Sequence, residues 1–175
     1  MQALLIIDMQ NACFEGAKRF AADQVIKHIN QLAWSFRQKQ LPVIHIQHQD
    51  AADFLPNSHG WQFIPQICLE HTDLVIAKTC CDAFINTDLS LQLAKLKVEH
   101  IAICGCATDF CVDSTIKGSI AQGLASTVIA DAHTTADRPH ASAEQLIKHF
   151  NWNWPQLIAP NPPLVMSCAE AVALL

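Results

Sequence analysis

Two kinds of hydrophobic pattern alternate along the chain. Ala3, Leu4, Leu5, Ile6 and Ile7 run without a polar break. A strand that does not alternate is buried on both faces, as in a parallel sheet covered by helices. Over residues 18–39 the apolar positions Phe20, Val25, Ile29, Leu32 and Phe36 recur near the helical period with charges between them, which predicts a helix. Pro42 then opens a second strand over residues 43–47. Residues 74–77 predict a third strand and residues 88–97 a short helix with Leu89, Leu93 and Leu96 as its apolar stripe. Residues 101–104 form the fourth strand. Residues 108–122 form a helix that Gly123 stops. A fifth strand over 126–130, a helix over 141–150 and a sixth strand over 164–166 complete the series. Strands alternating with helical segments predict an α/β fold with a parallel sheet.

Two stretches lie outside this alternation. Residues 48–73 are irregular and hold Pro56, Gly60 and Pro65; a connection this long usually serves a function or covers something. The segment with Trp152, Trp154 and Pro155 reads as packing at a surface seam. There is no internal repeat and no linker, so residues 1–175 are expected to form one domain.

Composition narrows the classes. Hydrophobic residues make up 51% of the chain and charged ones 15%, which excludes a disordered chain and leaves apolar surface for a partner subunit. The net charge is -5 with no basic cluster, so nucleic-acid binding through phosphates is not expected. No apolar run approaches the length that spans a bilayer, and the N-terminus reads as a strand from its first residues, so a cytoplasmic protein is expected. Eight cysteines sit mostly in apolar company and are expected to be reduced thiols.

In open parallel sheets, ligands bind beyond the carboxyl ends of the strands. Asp8 follows the first strand, Lys78 the third, and the segment from Gly105 to Cys111 the fourth. A carboxylate, an ammonium and a thiol at three strand ends describe a nucleophile with a base and a cation.

These residues also carry a resemblance. Leu5-Ile6-Ile7-Asp8-Met9-Gln10-Asn11 resembles the N-terminal motif of the isochorismatase-like cysteine hydrolases. Ala77-Lys78 with Ala83, Phe84 and Thr87 resembles the lysine segment of that family. Gly105-Cys106-Ala107-Thr108-Asp109-Phe110-Cys111-Val112 resembles its nucleophile loop, and Val128-Ile129-Ala130-Asp131-Ala132 the strand that follows. The resemblance implies a three-layer α/β fold with a six-stranded, mostly parallel sheet, and a homo-oligomer, dimer or tetramer. It implies a hydrolase acting on a small amide without a cofactor. Cys111 would be the nucleophile, Asp8 the acid–base and Lys78 the third triad member. A cis peptide between Cys106 and Ala107 and an oxyanion hole from the N–H groups of Ala107 and Cys111 are implied as well. Thr108 is a plausible N-cap, which would put Cys111 in the first turn of a helix and favour its thiolate.

The sequence departs from the pattern at Ala12-Cys13, where the family often has Asp-Phe, so the substrate is open. Gln10, Phe14, Trp61 and Thr108 are candidate pocket residues, and His133 and Asp137 read as a solvated turn or rim. The expected enzyme uses no metal. The alternative is a nicotinamidase-type site, for which His48, Asp50 and His59 are the nearest ligand set. A second alternative is a non-catalytic thiol protein of the same fold, supported by the cysteine count.

Overall fold

The computed structural model describes residues 1–175. Six strands build its sheet: β1 (Gln2–Ile7), β2 (Val43–His48), β3 (Leu74–Lys78), β4 (His100–Cys106), β5 (Ala125–Thr134) and β6 (Leu164–Met166). Their order is β3-β2-β1-β4-β5-β6, and every pairing is parallel rather than mostly so. The helices are α1 (Asn11–Phe14), α2 (Ala22–Gln38), α3 (Leu89–Lys95), α4 (Asp113–Ala121), α5 (Ala143–Asn153) and α6 (Cys168–Ala173). None is long and apolar enough to cross a membrane.

The period of two along β1 divides the core. Leu4 and Ile6 face Ile29, Leu32 and Phe36 of α2. Leu5 and Ile7 face the opposite layer with Leu93 of α3 and Ile116 of α4. Each such side chain removed from water contributes about 1.5–3 kcal/mol, so the two cores fix a three-layer sandwich around an apolar sheet. Trp154 belongs to the second core and is fully buried, whereas Trp152 is exposed. The surface-seam reading holds for Trp152 only, because a short 3-10 turn, Trp154–Gln156, rotates the second indole inward.

Two local features set the site. Residues 48–73 are stitched down: the N–H groups of Asn11, Ala12 and Ile64 donate to Gln62, Gly60 and Met9 carbonyls. This irregular segment is therefore fastened over the carboxyl end of β1. The second feature is a break in the β4–β5 register: Ile103 pairs with Val128, but Gly105 pairs with His133 and Cys106 with Thr134. The extra β5 residues carry the strand past the fifth-strand limit read from the sequence. His133 is thereby a buried strand residue rather than part of a solvated turn. Asp137 accepts from the Ala143 N–H at the start of α5.

Gly105 makes this packing possible. Its φ of +120° is a conformation side chains rarely adopt, and a Cβ there would lie 2.2 Å from the Ile7 carbonyl oxygen. Gly105→Ala is expected to destabilise the protein by at least about 2 kcal/mol in chemical denaturation. Unchanged stability would contradict this account of the β1–β4 approach.

Candidate active site

Lys78, the last residue of β3, reaches over the end of β2 with its side chain fully out of water. An ammonium has three donors and no acceptor. Here Nζ donates to Asp8 Oδ2 at 2.7 Å, to the Cys80 carbonyl at 3.1 Å and to Cys111 Sγ at 3.2 Å. All three donors are used, which is what a buried charge requires. Asp8 stands just beyond β1 in a left-handed conformation, φ 46°. Its N–H donates to the Ile46 carbonyl and its own carbonyl accepts from Gln10, so the turn is held at both ends. The structure thus brings together the carboxylate, the ammonium and the thiol from three strand ends.

Cys111 lies in a π-helical turn, Thr108–Val112, that precedes α4. The N-cap position falls to Ala107, and no side chain caps this turn. Thr108 is not the cap; its hydroxyl bonds His133 Nδ1 at 2.9 Å, and it is buried rather than facing a pocket. The peptide between Cys106 and Ala107 is cis. Asp109 is gripped from outside by Arg138, whose Nε lies 2.7 Å from Oδ2, and by the Thr135 hydroxyl at 2.5 Å. Neither partner was evident from sequence spacing, since both follow the register break in β5.

The charges depart from the expectation of a resting thiolate. Burial, with the Asp8 carboxylate second, pushes the Cys111 thiol well above the ordinary thiol range, and Lys78 opposes this without prevailing. Burial also raises the Asp8 carboxyl against the opposing pull of Lys78. At Lys78 burial works downward, but the charge of Asp8, with the hydrogen bonds to Asp8 and Cys111, outweighs it and holds the ammonium above its usual range. The helix-terminus argument fails because the turn buries the sulfur beside an anion. The resting arrangement is an Asp8–Lys78 ion pair with a neutral thiol beside it.

The other candidates divide. Gln10 spends its amide on backbone: Nε2 donates to the His48 and Trp61 carbonyls at 2.8 and 2.7 Å, and Oε1 accepts from the His48 N–H at 2.7 Å. It is a clamp between β2 and the stitched segment, not a pocket wall. Phe14 ends α1 and packs against the α2-side core. Trp61 is half-buried, and its indole Nε1 is one of three partnerless buried polar atoms in this region, with His48 Nδ1 and Asp8 Oδ1. His48, Asp50 and His59 do not assemble as ligands. His48 Nε2 lies 3.9 Å from Asp50, while His59 is exposed and bonds Glu15 at 2.7 Å. No group of three His, Cys, Asp or Glu side chains is arranged to hold a metal ion.

Known proteins share this framework. A family model described as Isochorismatase domain matches residues 2–155. Streptothricin hydrolase of Streptomyces noursei is 30% identical over 144 residues, which is 81% of this chain and 57% of that enzyme, so this chain spans little more than half its length. Ureidoacrylate amidohydrolase RutB of Cronobacter sakazakii is 24% identical over 192 residues, covering 86% of this chain and 83% of RutB. The crystal structure of an isochorismatase family protein has a TM-score of 0.88 at 29% identity, covering 95% of this chain and 98% of that one.

The electrostatics yield a directional prediction. Asp8→Asn removes the charge that raises the thiol, so alkylation of Cys111 by iodoacetamide at neutral pH should become several-fold faster. Lys78→Met should make it slower. Mass-spectrometric mapping of each cysteine reads both, and the opposite order would contradict the neutral-thiol description.

Proposed function

The chain belongs to the isochorismatase family of hydrolases, and we propose that it is a cysteine amidohydrolase in which Asp8, Lys78 and Cys111 act on a small carboxamide. The observation that carries this reading is the contact of a buried Asp8–Lys78 pair, 2.7 Å apart, with Cys111 Sγ at 3.2 Å from the same ammonium. Its amidohydrolase relative RutB supports the bond type.

In this reading Asp8 takes the thiol proton as Sγ attacks the substrate carbonyl carbon. A thiol too weakly acidic to ionise alone needs such a base, and burial makes Asp8 a stronger one than an ordinary carboxylate. Lys78 stays charged and steadies the sulfur as its proton leaves. The carbonyl oxygen becomes an oxyanion that the N–H groups of Ala107 and Cys111 would receive; such a donor contributes about 3–4 kcal/mol to the transition state. When the tetrahedral intermediate collapses, the C–N bond breaks and Asp8 delivers its proton to the departing nitrogen. Ammonia or an amine leaves and a thioester remains on Cys111. Water then attacks the thioester with Asp8 again as base, giving the carboxylic acid and restoring the thiol. Lys78 holds Asp8 Oδ2, which leaves Oδ1 without a partner to receive the thiol proton.

A panel of small primary carboxamides assayed for ammonia release tests this. The wild type should turn over at least one of them, with an acid-quenched acyl adduct on Cys111. Asp8→Asn should lower the rate about 10²–10⁴-fold, and Cys111→Ser should remove the adduct. Hydrolysis that persists in Cys111→Ser would overturn the reading. The pH profile gives a further check. A raised Asp8 pKa means the base is protonated earlier on acidification, so activity should fall at a pH above the ordinary carboxylate value of 3.8. An acid limb at or below that value would contradict Asp8 as the base.

A further inference from the structure

His133 lies outside the proposed triad, yet it is fully buried behind the turn that carries Cys111. Its ring connects two elements. Nε2 is 2.9 Å from Asn151 Oδ1 of α5, and Nδ1 is 2.9 Å from the Thr108 hydroxyl. The direction of the chain follows from its far end. Asn151 Nδ2 donates to the Ala130 carbonyl, which can only accept, so Oδ1 is the acceptor side of that amide. His133 Nε2 must therefore carry the hydrogen. Burial lowers the ring's pKa to about 4, so the imidazole is neutral and Nδ1 is a bare lone pair. Thr108 must then be the donor. Each hydrogen in the series from Thr108 through His133 and Asn151 to Ala130 has one place to go.

A second hold comes from the same side. The His133 ring meets Trp154 edge-on at 5.2 Å, and Trp154 Nε1 donates to Asp113 Oδ1 at 3.0 Å. The nucleophile turn is thus held at its first residue, Thr108, and just past its last, at Asp113. The first hold comes from β5 through His133 and is braced by α5, the second comes from the turn after α5, and Thr135 and Arg138 grip Asp109 between them.

We propose that His133 is a positioning residue: through its directed bonds to Asn151 and Thr108 it keeps the Thr108–Val112 turn in the register that sets Cys111 against Asp8 and Lys78. This rests on the triad reading above. It adds that the register is imposed from β5 and α5, not by the turn's own hydrogen bonds. Thr108→Ser keeps the donor; Thr108→Val keeps the shape and loses it. His133→Phe keeps the edge contact with Trp154 but breaks the chain at its centre.

The readout is the effect of Asp8→Asn on the iodoacetamide reactivity of Cys111, relative to exposed Cys68 in the same sample. That effect measures whether carboxylate and thiol still face each other. It should be several-fold in the wild-type and Thr108→Ser backgrounds and should vanish in the Thr108→Val and His133→Phe backgrounds. Thr108→Val and His133→Phe together should do no more than either alone. A purely structural role would lower the melting temperature yet leave the Asp8→Asn effect intact, and that outcome overturns the proposal. If Asp8→Asn has no effect in the wild type, the triad reading itself has failed, which is a distinguishable result. Should His133→Phe not fold, Thr108→Val against Thr108→Ser decides the matter alone.

Discussion

The site depends on one buried ammonium. Lys78 has no route to water, so its charge must be balanced where it stands, and the carboxylate of Asp8 at 2.7 Å does this. Each remaining donor needs an acceptor, and the two nearest are the Cys80 carbonyl and the sulfur of Cys111. This demand fixes how three strands end. β1 must close in a left-handed residue that presents Asp8, β3 must finish on a residue long enough to cross β2, and β4 must lead at once into the turn that brings up the thiol. Removing one member of a buried pair typically costs ~3–5 kcal/mol, so the arrangement is held by folding as well as by use.

The same balance decides the state of the Cys111 thiol. A cysteine near a lysine and a helix start invites the picture of a preformed thiolate. Here burial and the nearby carboxylate act more strongly than the ammonium, and the thiol stays protonated. A neutral thiol beside a carboxylate of raised pKa is a pair between which one proton can pass.

Much of this was legible in the chain. The unbroken apolar run from Ala3 to Ile7 identified a strand buried on both faces, and the recurrence of Val25, Ile29, Leu32 and Phe36 identified the helix that covers it, because burial leaves a periodic trace. Asp8, Lys78 and Cys111 could be paired in advance because each stands at or just beyond the carboxyl end of a strand in one parallel sheet. What stayed hidden lacks periodicity. The register break in β5 that moves His133 beside Gly105 is a tertiary event, and a histidine after an apolar run looks like a turn residue until its partners are known. Thr108 read as a cap because the residue type fits one, whereas its hydroxyl is claimed by a ring from another strand. Gln10 read as a pocket wall for the same reason, and its amide is consumed by the backbone of the segment that Asn11 and Ala12 stitch down. A helix start in the sequence favours a Cys111 thiolate, and the burial that pushes the thiol the other way leaves no trace there.

The neutral state of Cys111 beside the Asp8–Lys78 pair is the central claim, and the ultraviolet absorbance of its thiolate tests it most directly. The difference between wild type and Cys111→Ser, followed from acid to mildly alkaline pH, isolates this one sulfur among eight. The account predicts no thiolate step through neutrality. A step at or below neutral pH would show a preformed thiolate and contradict it.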